Sequence, residues 1–258
     1  MDLKDLAADL TLALDRVAFM RALGYEPDDW QANFLKSNAK RVLLNCSRQS
    51  GKSTVTAVLA LHEAIYKAGA LILLLSPSFR QSSELYGKVI EGYLRLGNNP
   101  ADDALASELH LSNGSKIVSL PSSEKTIRGY SGVDLLICDE ASRIPDDLYH
   151  AVTPMLAVSN GRLILLSTPY GQRGIYHELW VHGTDYEKFM VTAYECKRIS
   201  KEFLESERRV KPARIFRQEY MCEFLQTDDS VFSYDEVMAL TSGEVKPLFS
   251  GGDDGDLW

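Results

Sequence analysis

Residues 41 to 54 read RVLLNCSRQSGKST, and this stretch decides the fold. Its first five residues form a short apolar run of the kind that makes a buried strand, and residues 54 to 67 have the spacing of a helix. A loop between a strand and a helix presents its backbone N–H groups, together with the helix N-terminus, to an anion. We therefore predict a phosphate-binding loop.

The side chains of this loop are those that bind a nucleoside triphosphate. Lys52 is expected to reach the β- and γ-phosphates, the Ser53 hydroxyl to bind Mg²⁺, and Gly51 to let the backbone approach without a Cβ. Arg48 could bridge phosphate oxygens or sense them, or could lie in solvent. Cys46 stands where the common pattern has glycine, and a Gly-Lys-Ser turn can also be a simple loop. The predicted nucleotide-contacting loop residues are Ser47, Arg48, Gln49, Ser50, Gly51, Lys52, Ser53 and Thr54.

A second motif, residues 135 to 140, reads LLICDE and is an apolar strand that ends in two carboxylates. The carboxyl end of a parallel strand lies beside the phosphate loop, so Asp139 is predicted to be the second Mg²⁺ ligand. Glu140 is predicted to orient and activate the attacking water. Asp-Glu after a strand is often only a polar loop, but here it accompanies Gly51-Lys52-Ser53.

Two hydroxyl groups follow the next apolar strand, which covers Leu163 to Leu166. Ser167 and Thr168 would lie at the same sheet edge as the two carboxylates. We predict that they face the γ-phosphate or Glu140 and couple hydrolysis to the rest of the fold. A simple strand-ending turn is the alternative.

Three further side chains could belong to the site. Trp30-Gln31 precedes the first strand, and Gln31 offers both a donor and an acceptor to an adenine edge. The alternative is a helix-face Gln beside a core Trp. Arg128 lies on a loop before the carboxylate strand and is predicted to be an arginine finger that reaches the γ-phosphate of a neighbouring subunit, with Arg143 as the rival.

The alternation of strands and helices indicates an α/β fold with a mainly parallel sheet flanked by helices and a small C-terminal subdomain. With the phosphate loop and the Asp139-Glu140 pair, this fold resembles that of RecA-like (ASCE) P-loop NTPases. Asn113-Gly114 predicts a hairpin turn between two short strands. Leu3 to Leu23 are predicted to form one amphipathic helix that covers the core. The predicted segments are an N-terminal helix (1–24), the P-loop ATPase core (25–183), a small lid subdomain (184–235) and a linker (236–258).

Composition narrows the class of protein. The chain has 258 residues, of which 45% are hydrophobic and 25% charged, as in a soluble globular protein. The longest apolar run, around Leu71 to Leu75, is too short to span a bilayer, and the four cysteines are far apart, so no zinc site is suggested. We predict a cytoplasmic protein without a membrane partner.

The formal net charge of −8 limits any nucleic-acid contact to a local patch. The candidate patch is Glu195 to Tyr220, with eight basic and five acidic residues. A solvated helix face is the simpler interpretation, because mixed charge is common on helix surfaces.

Together these motifs resemble the ATPase domain of the large terminase subunit, the DNA-packaging motor of tailed bacteriophages. The matching pieces include Trp30-Gln31, the loop from Ser47 to Ser53, the strand that ends in Glu140, and Ser167-Thr168-Pro169. Residues 216 to 224 look like the segment that closes that domain. The resemblance covers about residues 25 to 235.

The resemblance implies Mg²⁺-dependent ATP hydrolysis that translocates double-stranded DNA into a procapsid. It also implies a pentameric homo-oligomeric ring docked on a portal protein in the host cytoplasm, with a small terminase subunit for initiation, although the isolated domain could be a monomer. In that family a nuclease domain follows. The Gly/Asp-rich residues 250 to 256 look like a linker toward it, so no nuclease activity is expected here.

Two other classes share parts of this pattern. A helicase-like translocase has the same loop and Asp-Glu pair but needs a second nucleotide-contacting lobe, for which the residues after Pro169 are few. A nucleotide-dependent switch would need a guanine-reading Asn-Lys-x-Asp motif, which this sequence lacks. Duplex unwinding and a comparison of ATP with GTP would separate these classes from a packaging motor.

Overall fold

Strands and helices alternate along the chain in the computed structural model, which describes residues 3–97, 105–121, 127 and 129–226. Apart from Gln226, the described residues belong to one compact unit, Met1–Leu225. The strands of the described part are β1 (Arg41–Cys46), β2 (Leu71–Ser76), β3 (Glu108–His110), β4 (Lys116–Pro121), β5 (Leu135–Asp139), β6 (Arg162–Ser167) and β7 (Glu187–Val191).

The helices pack around these strands. Those of the described part are α1 (Leu3–Leu14), α2 (Arg16–Ala22), α3 (Asp29–Lys36), α4 (Lys52–Tyr66), α5 (Phe79–Arg95), α6 (Asp146–Val152), α7 (Gly174–His182), α8 (Lys201–Val210) and α9 (Ala213–Met221). Short 3-10 turns, such as Ala141–Arg143 after β5, connect some of them.

The described strands form one sheet in the order β3-β4-β2-β5-β6-β1-β7. All neighbours are parallel except β3 and β4, which pair antiparallel across the predicted Asn113-Gly114 turn. Asn113 also fixes the turn, because its Nδ2 donates to the carbonyl oxygens of Ala64 and Ile65 at the end of α4. The predicted mainly parallel α/β fold is therefore confirmed.

The sheet separates two apolar cores. Alternate residues of a strand point to opposite faces, so Val42 and Leu44 pack with helices α2 to α5 while Leu43 packs with α6 and α7. Burial on both faces explains why β1, β2 and β6 read as continuous apolar runs. The pairing order β5-β6-β1 places the carboxyl ends of these three strands side by side.

The N-terminal helix differs from its prediction as a single core-covering helix. Asp15 ends α1 and caps α2, because its Oδ1 accepts hydrogen bonds from the N–H groups of Val17 (2.8 Å) and Ala18 (3.1 Å). Val17 is buried, but three leucines of the predicted apolar face are exposed, and α1 contributes little to the core. They are Leu6, Leu10 and Leu14, with relative exposures of 48%, 56% and 79%.

Strand β7 lies within residues 184–235, the predicted lid subdomain, yet it is an edge strand of the main sheet. It pairs in parallel with β1, so that Leu44 lies beside Phe189 and Cys46 beside Val191. The segment that follows β7 therefore starts next to the phosphate loop. The segment boundaries themselves stay a prediction.

None of the helices in the described ranges is long and apolar enough to cross a membrane.

Candidate nucleotide-binding site

The loop between β1 and α4 has the backbone of a phosphate cradle. Gln49 (φ 63°) and Gly51 (φ 85°) adopt left-handed conformations, and α4 begins immediately afterwards at Lys52. A Cβ at position 51 would lie 2.7 Å from Arg198 Nη2 and 2.8 Å from Gln31 Nε2. Glycine is therefore required at position 51 by both its conformation and its neighbours.

Cys46, which replaces the usual glycine, lies in the sheet instead of the loop. It is the last residue of β1 and is fully buried, and this burial raises the pKa of its thiol. The irregular part of the loop starts at Ser47, whose N–H donates to Val191 O at 2.9 Å. The departure from the common pattern therefore leaves the turn around Gly51 intact.

Four of the predicted catalytic and metal-binding side chains, those of Lys52, Ser53, Asp139 and Glu140, come together with Thr168 at the carboxyl ends of β1, β5 and β6. Lys52 Nζ lies 3.8 Å from Glu140 Oε1 and 3.4 Å from Thr168 Oγ1. Ser53 Oγ donates to Asp139 Oδ2 at 3.2 Å. Five polar groups from three separate segments thus face one small volume.

The carboxylate of Asp139 is buried, and this burial raises its pKa to about 6, with a further contribution from the charge of Glu140. Lys52, Ser53 and the Glu140 N–H oppose this rise only in part. A divalent cation would compensate the remaining negative charge. The oxygens of Ser53 and Asp139 are ligands that Mg²⁺ prefers, so this pair fits such an ion.

Glu140 has a left-handed backbone (φ 51°, ψ 43°), an unusual conformation for a residue with a side chain. Its N–H donates to Asp139 Oδ1 at 2.9 Å, which fixes the turn between the two acids. The turn lets the two carboxylates face different partners, Ser53 for Asp139 and Lys52 for Glu140. This arrangement suits two acids with separate roles.

Ser142 belongs to the site although the sequence motifs did not identify it. Its Oγ lies 2.6 Å from Ser167 Oγ and 2.9 Å from Thr168 O. It thereby connects the turn after Glu140 to the predicted coupling residues. Ser167 contacts Ser142, while the Thr168 hydroxyl contacts Lys52; the coupling role of both residues stays a prediction.

Gln31 packs against the phosphate loop. It is 1% exposed, its Oε1 accepts from Asp28 N at 2.9 Å, and its Nε2 donates to Gly51 O at 3.3 Å. Trp30 packs beside the core. The carboxamide of Gln31 is thus engaged by the loop itself, and contact with adenine stays a prediction.

Arg48 is bound by the helix α9. The Arg48 guanidinium forms an ion pair with the Glu219 carboxylate, with Nη2 3.3 Å from Oε1. The backbone N–H of Arg48 also donates to the backbone carbonyl of Glu219 at 3.1 Å. The Asn45 amide donates to Cys222 O at 2.9 Å just beyond this helix. Residues 219 to 222, part of the predicted closing segment, therefore contact the phosphate loop directly.

The two candidates for the arginine finger are Arg128 and Arg143. Arg128 lies outside the described residues. Arg143 stacks on the ring of Tyr170, with its guanidinium carbon 4.1 Å from the ring centroid. That stacking holds the exposed Arg143 beside Tyr170, which follows the predicted coupling residues Ser167 and Thr168.

The basic segment Glu195 to Tyr220 is partly neutralised. Several of its cations pair with carboxylates, which favours the solvated-helix interpretation over a nucleic-acid face. The pairs are Lys197–Asp29, Arg198–Asp28, Lys211–Glu207 and Arg217–Glu223.

The family model that describes the N-terminal part of the large terminase subunit, of the T4-like virus type, matches residues 43 to 238. The large terminase subunit of Thermus virus P23-45 is 28% identical over a match of 252 residues. The match covers 83% of this chain and 52% of that protein. The chain thus spans about half the length of the curated relatives it matches.

Solved structures have the same fold. The large terminase ATPase domain of Thermus phage P74-26 is 26% identical, with a TM-score of 0.71 over 80% of this chain and 97% of that one. The large terminase of another thermophilic bacteriophage, solved in complex with ADP, is 14% identical, with a TM-score of 0.59 over 80% of this chain and 52% of that one. The RecA-like fold is confirmed, and the chain belongs to the terminase large subunit family.

Proposed function

We propose that this chain is a Mg²⁺-dependent ATP hydrolase and the motor domain of a phage terminase. The proposal rests on the short distances among Lys52, Ser53, Asp139 and Glu140. These side chains lie beside a phosphate loop in which Gln49 and Gly51 have positive φ angles. A similar protein has been solved with ADP, which supports ATP as the nucleotide.

Different groups of the site would bind the phosphates and the Mg²⁺ ion of the nucleotide. Backbone N–H groups between Ser47 and Thr54 would surround the phosphates, and Lys52 would leave Glu140 for the β- and γ-phosphate oxygens. Ser53 and Asp139 would hold Mg²⁺. When bound, that ion neutralises charge that develops on the phosphates.

Glu140 would act as the general base. In the structure its carboxylate is compensated by Lys52 at 3.8 Å. Once the Lys52 ammonium binds phosphate, the Glu140 carboxylate would be available to orient a water and to accept its proton. Thr168, 3.4 Å from the same ammonium, would respond to this movement and pass it to Ser142 and Ser167.

The family supplies the biological setting of the proposal. The motor would translocate double-stranded DNA into a procapsid as a pentameric ring docked on a portal protein, in the host cytoplasm and with a small terminase subunit. Steady-state hydrolysis of ATP and GTP, with and without duplex DNA, tests the enzymatic part. We expect ATP turnover without strand separation; absence of ATP turnover under all these conditions would contradict the proposal.

Arg128 is expected to act between subunits. Specific ATPase activity of the wild type should rise with protein concentration, because a neighbour's guanidinium completes the site, and Arg128→Ala should remove that rise. Arg143→Ala serves as the comparison, since Arg143 is held on Tyr170. If only Arg143→Ala removes the concentration dependence, Arg143 is the finger.

The ion pair between Arg48 and Glu219 predicts opposite effects of two substitutions on ATP affinity. Glu219→Gln should tighten ATP binding about threefold, because it frees Arg48 for phosphate, and Arg48→Ala should weaken it by a similar factor, about 1 kcal/mol or less each way. Titration with a fluorescent ATP analogue measures both. Equal affinities in the three proteins would mean that Arg48 does not contact the nucleotide.

A further inference from the structure

Arg198 contacts the backbone of the phosphate loop. It follows β7 in the chain, and its Nη2 donates to Ser50 O at 2.6 Å while pairing with Asp28 Oδ2 at 2.9 Å. Beside it, Gln31 Nε2 donates to Gly51 O at 3.3 Å. Two successive carbonyl groups of the loop are thus held by two side chains from distant parts of the sequence.

The ion pair between Arg198 and Asp28 is more buried than the ion pair between Lys197 and Asp29. The Asp28 side chain is only 7% exposed, and Asp28 precedes the helix that carries Gln31. By contrast, Lys197 and its partner Asp29 are 70% and 89% exposed. Removal of Arg198 would leave a buried carboxylate unpaired, whereas loss of Lys197 would change little.

The geometry of the peptide group links these carbonyl contacts to the N–H groups that follow them in the loop. In a planar trans peptide, the carbonyl and the following N–H point in opposite directions. Holding Ser50 O therefore turns the Gly51 N–H away from Arg198, and holding Gly51 O turns the Lys52 N–H away from Gln31. Those N–H groups belong to the turn predicted to surround the phosphates.

We propose that Arg198 is a positioning residue for phosphate binding, which it supports by holding the Ser50–Gly51 peptide and by compensating Asp28. The inference rests on the proposed nucleotide-binding function. Through Arg198, the segment between β7 and α8 would stabilise the loop conformation that binds phosphate, without contacting the nucleotide itself.

The test compares Arg198→Gln and Arg198→Lys with the matched control Lys197→Gln. Calorimetric titration with ADP and with inorganic tripolyphosphate, both with Mg²⁺, should show binding about tenfold weaker for Arg198→Gln with either ligand, as expected for loss of a charged hydrogen bond. Arg198→Lys should fall between Arg198→Gln and wild type, and Lys197→Gln should match wild type. The KM for ATP should rise while kcat changes little.

Several outcomes would overturn the role of Arg198. These are wild-type affinity in Arg198→Gln, weaker binding of ADP but not of tripolyphosphate, or an equal loss in Lys197→Gln. If Arg198→Gln does not fold, Arg198→Lys decides, and wild-type affinity in that variant counts against the inference. If the wild type itself binds neither ligand, the proposed function fails and this inference falls with it.

Discussion

Replacing Glu140 by glutamine is expected to lower the ATP turnover number about a thousandfold while ATP binding is retained, since a positioned general base typically contributes 10²–10⁴ in rate. The amide keeps the size of the side chain but cannot accept a proton from water. Loss of its charge also leaves Lys52, 3.8 Å away, free to bind phosphate. Single-turnover hydrolysis together with titration of a fluorescent ATP analogue separates the chemical step from binding.

The exposed Glu178→Gln on α7 is a suitable control because it makes the same chemical change away from the phosphate loop. We expect it to keep wild-type turnover. Near-normal turnover in Glu140→Gln would show that another group activates the water. Loss of ATP binding in that variant would instead mean that Glu140 supports the loop and not the chemistry.

Much of the site was predictable because its motifs sit at the ends of neighbouring parallel strands. Apolar runs mark β1, β5 and β6, and the residues just after such strands meet at one sheet edge. The sequence pattern alone therefore predicts that Lys52, Asp139 and Thr168 lie close together. The same reasoning gives the fold, since short apolar runs that alternate with helices are typical of a parallel sheet buried on both faces.

The rest depends on contacts that leave little trace in the local sequence. Arg198 meets Ser50 across 148 positions of the chain, and Glu219 meets Arg48 across 171. Both lie in charged segments that look like ordinary helix surface. Asp15 carries a local signal, because an acidic residue inside an amphipathic pattern can cap a new helix. The apolar spacing continues across it from Leu14 to Val17, however, and favours one uninterrupted helix.

Asp139→Asn is expected to stabilise the nucleotide-free protein and to abolish its activity. Burial raises the pKa of Asp139 from 3.8 to about 6, which corresponds to up to about 3 kcal/mol of stability lost when the group is charged. A neutral amide removes that cost at pH 7. Hydrolysis should fall at least a hundredfold, because an amide is a weaker ligand for Mg²⁺ than a carboxylate.

The stability gained by Asp139→Asn is expected to depend on pH. The pKa of Asp139 is raised in the folded protein, so the cost of its charge is fully present above pH 6 and is relieved as the pH falls from about 6 toward 3.8. Urea unfolding in EDTA should therefore show Asp139→Asn more stable than wild type at pH 7, with the advantage shrinking below pH 6. The exposed Asp185→Asn should show no such pattern. If Asp139→Asn is instead less stable at pH 7, the hydrogen bonds of the carboxylate to Ser53 and the Glu140 N–H outweigh its burial, and the negative charge is already compensated without a cation.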